Sequence, residues 1–211
     1  MRGGHYCVAG WCAATNSMVR PLPNGGHWNA TLLAAHHVVP GALIRVQPNG
    51  PGTGSLPHRR EDAPVAINQI QHIGNAAYPW FGPGAPPTAQ TLDQAFEGHI
   101  QYNGTWQGVR KAPYVADGVD TRSLWAIQAL SDNLRFLEEF GKLKATLRDG
   151  TATYKMAVTC RSIREVHRQH GLTAVQQLFP TRTNLHIRIG LARSWDDEPD
   201  KCYAMINGVY R

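Results

Sequence analysis

The sequence is poor in charge: Asp, Glu, Lys and Arg supply 17% of its 211 residues, against roughly 25% in an average soluble domain. A chain kept unfolded by solvation carries more charge and fewer aromatics than this, so general disorder is excluded. No run of 18 apolar residues occurs, which excludes a hydrophobic membrane-spanning helix. The opening MRGGHYCVAGWCAAT lacks the uninterrupted apolar stretch of a cleaved leader. We therefore expect a protein that works in the cytosol or leaves the cell without a cleaved signal peptide. Only four cysteines are present, Cys7, Cys12, Cys160 and Cys202, and none forms a CxxC pair. Buried thiols are the expectation, with a Cys7–Cys12 disulfide in an exported protein left open. GxxxxGK[ST], GxSxG and HExxH are all missing, which removes P-loop, α/β-hydrolase and zincin readings.

What is there is a 42% hydrophobic chain, enough for a core, with 21 glycines and 14 prolines that call for long loops. The length allows one large domain or two small ones, and we expect a single domain over 1–211. Residues 1–30, dense in Gly, Pro and Asn, read as an irregular lead-in. Asn29 is a candidate N-cap for an apolar element over 29–38, stopped by Pro40 and Gly41. Turn-rich stretches follow at 47–64 and 79–90, and Thr91–Phe96 reads as a helical turn or two. Leu124, Ile127, Leu130, Leu134, Leu137 and Phe140 recur at steps of three and four, predicting a helix within 121–148. A second helix is expected over 153–179, broken at Gly171 and closed by Pro180. Residues 121–179 thus form the expected helical part. Strands are expected over 185–210: LHIRIGL at 185–191, with His186 and Arg188 on its wetter face, and CYAMINGVY at 202–210.

The net charge of +6 is uneven: between Arg135 and Arg193 stand 11 basic and 4 acidic residues. Such a surplus suits phosphates, although a solvated basic face accounts for it equally well. Trp80, Phe81 and Trp106 are candidates for stacking on bases, but most of the six tryptophans belong in the core.

The sequence Ala34-Ala35-His36-His37-Val38-Val39-Pro40 carries the most chemistry. Two adjacent imidazoles cannot both face a core, so at least one points elsewhere. A bare His pair is usually a surface feature. This pair, preceded by alanines and followed by two β-branched residues and Pro, resembles the opening motif of the HNH/endonuclease VII-like, or His-Me finger, nucleases. More narrowly it resembles the AHH family of toxin domains from bacterial polymorphic and type VI secretion systems. Asn103-Gly104-Thr105-Trp106 is similar to the family's Asn-Gly segment, and Tyr154, Ala157, Arg164, His167 and His170 to its later helix. Asn103 lies farther from His37 than is usual, no Leu-Pro follows Trp106, and Thr173 stands where a Tyr is common.

The resemblance implies an α+β fold, a ββα-metal core embedded in additional helices and long Gly/Pro-rich loops. It implies a metal-dependent, largely sequence-nonspecific DNA endonuclease, used as an antibacterial toxin or type VI secretion effector. The alternatives are an RNase on the same scaffold and a non-catalytic nucleic-acid- or metal-binding module. Phosphodiester hydrolysis needs an activated water and a cation near the leaving oxygen, and imidazole titrates near neutrality. The family pattern assigns His36 to a divalent ion (Mg²⁺, Mn²⁺ or Zn²⁺) and His37 to the general base. Asn103, or failing it Asn75 or Asn68, would align the base. His170 is the favoured further metal ligand, with His167 or His99 in competition. Arg161, Arg164 and Arg168, on the same predicted helix, would hold phosphates; otherwise they are an exposed face. Implied partners are DNA, a cognate immunity protein and a secretion-system carrier or chaperone, with no membrane. The site of action would be the cytoplasm of a target bacterial cell.

Overall fold

Alternation rather than helical spacing decides most of this chain. The computed structural model describes residues 4–52, 54–75 and 85–211, and in it the protein is mixed α+β and mostly strand. Among the described residues, no helix is long and apolar enough to cross a membrane. The chain divides into two compact units, Met1–Pro86 and Pro87–Arg211.

The N-terminal unit is built from short pieces. The expected irregular lead-in contains strands β1 (His5–Tyr6), β2 (Gly10–Cys12), β3 (Ser17–Pro23) and β4 (Trp28–Asn29). Helix α1 (Ala30–Ala35) follows, capped as expected: the Asn29 side chain accepts a hydrogen bond from Leu32 N–H at 2.9 Å. Then come β5 (Ala42–Arg45), β6 (Asp62–Val65) and β7 (Gln71–Asn75). β2 pairs antiparallel with β3, and β3 pairs parallel with β6. β1–β4 and β5–β7 are separate antiparallel pairs. The fully buried apolar core is small: Trp28, Val65 and Ile70, with Leu32, Leu33 and Val38 packed against it. Beside it lies a buried ion pair between Arg20 and Asp62, 2.5 Å apart. His58 is buried too, with Nδ1 at 3.5 Å from the same guanidinium. Burial works to lower the Arg20 pKa, and Cys7 and Asp62 reverse that, so the guanidinium stays charged.

The C-terminal unit carries the larger core. Helix α2 (Leu92–Ala95), capped by the Thr91 hydroxyl, matches the predicted helical turn. Strands β8 (Gln101–Tyr102), β9 (Thr105–Trp106), β10 (Val109–Lys111) and β11 (Pro113–Ala116) follow. Where a helix is expected over 121–148, the chain forms β12 (Leu124–Leu130), β13 (Leu134–Glu139) and β14 (Lys142–Arg148). Leu143, Ala145 and Leu147 of β14 turn inward while Lys142 and Arg148 face out, the period-two pattern of a half-buried strand. Phe140 and Gly141, at φ 50° and 67°, make the two-residue turn joining β13 to β14. Both positive φ values match the hairpin turn whose twist fits its flanking strands.

The second expected helix is half right. Residues 153–158 are strand β15 (Thr153–Val158), and α3 (Arg161–Gln176) follows. Gly171 breaks α3 where expected, with φ 78° and ψ −178°. The C-terminal strands appear as β16 (Asn184–Leu191) and β17 (Lys201–Tyr210). His186 does not face water: it is buried, edge-on to Tyr210 at 6.3 Å. Both faces of β16 are covered, so its alternation marks no wet side.

These strands form one branched sheet running β12-β16-β17-β15-β10-β9, with β13–β14 joined to β15 and β8–β11 joined to β17. Asp149 fastens its loops. Burial works to raise its pKa, but hydrogen bonds from the Leu92, Thr151 and Ala152 backbone N–H groups and the Thr151 hydroxyl lower it overall.

Candidate active site

The histidine pair is the stop of α1. His37 N–H donates to Ala34 C=O at 3.1 Å and Val38 N–H to Leu33 C=O at 2.9 Å. His37 itself is left-handed, with φ 51°. This is a Schellman stop with histidine where glycine is usual, and Val38 supplies its inward hydrophobic contact. A left-handed L-residue costs about 1–2 kcal/mol, although histidine is among the types found there more often. The two imidazoles diverge as anticipated. His36 is half-buried, edge-on to Trp28 at 6.2 Å, and His37 is exposed.

A residue that sequence reasoning passed over completes the arrangement. His72, on β7, brings its ring centroid within 5.6 Å of the His37 ring, tilted by 56°. Its Nε2 lies 3.2 Å from Asn75 Oδ1 and donates to it in the tautomer that protonates Nε2. Pairing of β5 with β7 sets Ile44 opposite His72 and Ala42 opposite Asn75. His72 is 35 positions beyond His37, and no spacing rule would find it. Asn75 is one of the alternative aligners that the sequence offers, and the other, Asn68, sits exposed in the 3₁₀ turn Ile67–Gln69.

The other expected site residues belong to the C-terminal unit. Asn103 lies in the turn between β8 and β9, and its side-chain amide donates to the Tyr203 hydroxyl at 2.5 Å. His167 Nε2 is 2.9 Å from a Glu138 carboxylate oxygen, while His170 and His99 are exposed. Arg161, Arg164 and Arg168 are exposed along α3. Arg168 is engaged by Glu165 at 2.6 and 3.0 Å, and that contact holds the Glu165 carboxyl below its usual pKa. Trp80 and Phe81 lie outside the described residues.

All four cysteines are free, and Cys7–Cys12 is not bridged. Burial, with Asp117 accepting from the thiol, pushes Cys202 up to about 12. That thiol is therefore no nucleophile at neutral pH.

The expected divalent ion needs several converging donors. Among the described residues, no three His, Cys, Asp or Glu side chains converge to hold one. Comparisons with family models, with characterised proteins and with solved structures gave no match.

Proposed function

We propose that the protein cleaves RNA phosphodiester bonds with His37 and His72 as an acid–base pair. The carrying observation is the approach of these two rings to 5.6 Å, with Asn75 at one of them. In-line displacement puts the attacking and leaving oxygens on opposite sides of phosphorus, so two separate proton carriers are wanted. His37 takes the proton of a ribose 2′-hydroxyl as that oxygen forms its bond to phosphorus. His72, its Nε2–H occupied by Asn75, gives a proton from Nδ1 to the departing 5′-oxygen as the P–O bond breaks. The products are a 2′,3′-cyclic phosphate and a free 5′-hydroxyl. Each imidazole ends in the other's starting protonation state, and exchange with solvent resets both.

This is the RNase form of the resemblance, and the facing imidazoles support it because two such groups can carry both protons of a 2′-hydroxyl displacement. The antibacterial role and the immunity partner rest on the resemblance alone, and growth arrest on cytoplasmic expression is their test.

The 211-residue protein is incubated with structured RNA and with plasmid DNA, each with EDTA and with Mg²⁺ restored. The expected result is RNA cleavage in EDTA, cyclic-phosphate ends, and intact DNA. His37→Ala and His72→Ala should each lose about 10²–10⁴-fold in rate while staying folded. Plasmid cutting that needs Mg²⁺ would overturn this reading in favour of the metal-dependent DNase. Full activity in a folded His72→Ala protein would remove the pair mechanism.

A further inference from the structure

Two hairpin turns of the C-terminal unit set aromatic rings beside lysines. Gln107 and Gly108, at φ 47° and 77°, close the β9–β10 hairpin and leave Trp106 63% exposed. The Lys111 ammonium lies 5.2 Å above the Trp106 ring, a cation–π contact. The Phe140-Gly141 turn leaves Phe140 97% exposed. Trp195, 47% exposed, stacks on Tyr203 at 5.4 Å and 26°.

These rings border one continuous surface. An open groove of ≈ 860 Å³ takes in Phe140, Trp195 and Tyr203, and a hollow of ≈ 220 Å³ beside it takes in Trp106. Lys111 and Lys155 line both. Five large apolar side chains are exposed among the described residues of this unit, and Trp106, Phe140 and Trp195 of them lie here. Singly exposed aromatics need no explanation, but several rings in one charged hollow mark a binding surface.

The charge selects the occupant. Lys111, Lys144 and Lys155 face only two carboxylates in the groove, Glu139 and Glu198, and both of those are engaged. Glu139 accepts from Lys144 and Lys155, and Glu198 from Tyr203 and Lys201. A neutral glycan would meet the rings but offer no counter-charge to a groove lined by three lysines and two carboxylates. An acidic peptide would meet the lysines without giving each ring a flat partner. A single-stranded nucleic acid presents both a phosphate line and unpaired base faces.

We propose that this groove binds single-stranded nucleic acid, with a base on Trp106 or Trp195 and the phosphates along Lys111 and Lys155. The proposal stands on this surface and does not depend on the histidine pair. RNA and DNA strands share the required chemistry, so both are tested.

The probe is fluorescein-labelled oligo(U) or oligo(dT), followed by anisotropy on the full chain carrying His37→Ala, so that no cleavage consumes it. Expected is binding of the single strands well above that of a duplex of equal length, heparin or a neutral oligosaccharide. Trp106→Ala and Trp195→Ala should each weaken binding about 5- to 100-fold, the loss of one stacked base. Lys111→Gln should flatten the salt dependence by about 0.7 on the log–log plot, the single-strand value for one phosphate. Circular dichroism confirms folding, and either tryptophan variant suffices if the other unfolds. Absence of binding overturns the proposal. So does equal binding of heparin or duplex with both tryptophan variants unaffected, or preference for the oligosaccharide. Binding that persists when the RNA cleavage assay is blank leaves this surface standing and removes only the histidine mechanism.

Discussion

The two units solve burial differently. Among the described residues, the N-terminal one has an apolar cluster of only three buried side chains, Trp28, Val65 and Ile70, and sets a buried Arg20–Asp62 pair beside them. The C-terminal one packs an extended apolar core on a branched sheet, from Ala89 through Val209. Hydrophobic burial contributes about 25 cal/mol per Å², so the second unit is held mostly by area. The first relies more on polar geometry, which tolerates loss of a partner poorly. The difference teaches how differently the histidine cluster and the aromatic groove are supported. His37 stands at the end of a six-residue helix and His72 on a five-residue strand, and the aromatic groove stands on a broad sheet.

Asp62→Ala should give the largest effect, about 3–5 kcal/mol, because the Arg20 charge is then buried without its carboxylate. Amide exchange in β3 and β6 should accelerate most, and a like-sized apolar pair at both positions should recover much of the loss. If Asp62→Ala were neutral, the contrast between the units would fail. Leu147→Ala removes a fully buried side chain from the sheet and should cost about 2–5 kcal/mol, read as lost exchange protection in β13, β14 and β15.

The smallest effect is at Glu139. Hydrogen bonds from Lys144 and Lys155 lower its pKa from 4.5 to about 2. Because the folded-state value is depressed, its contribution is complete above about 4.5 and is lost as pH falls from there toward 2. The group is partly exposed, so the contribution is about 0.2–1 kcal/mol. Glu139→Gln should flatten the acid limb of stability against pH over that window and leave neutral stability nearly unchanged. An unaltered limb would show the two lysines to be solvated rather than paired.

The legible parts of the sequence were those with local causes. Asn29 and Thr91 cap because a short oxygen-bearing side chain accepts from a free N–H of the first turn. Gly171 breaks α3 because it alone there enters positive φ without penalty. The misreading over 121–148 has a local cause as well. Leu124, Ile127 and Leu130 lie on β12 and Leu134 and Leu137 on β13, and on a strand a step of three turns a side chain to the opposite face, so the spacing marks no single face. The alternation of KLKATLR and the Phe140-Gly141 turn carried the truer signal. Within the candidate site, AHH was legible and His72 was not, because sheet pairing joined residues that no local rule connects. Likewise, Trp106 was marked for stacking, but its relation to Trp195 depended on the whole sheet.

β17 occupies the middle of the large sheet although it is the last strand of the chain, bonded to β16, β15 and β11. Strands β12 to β16 therefore cannot close into one sheet until β17 has been made. Of the contacts that β17 makes, the one with β15 is parallel and joins residues nearly 50 positions apart, Ala157 to Met205 and Val158 to Ile206. The strand that arrives last converts a set of hairpins into one sheet, so the groove comes into being late, after nearly every residue lining it has already been made.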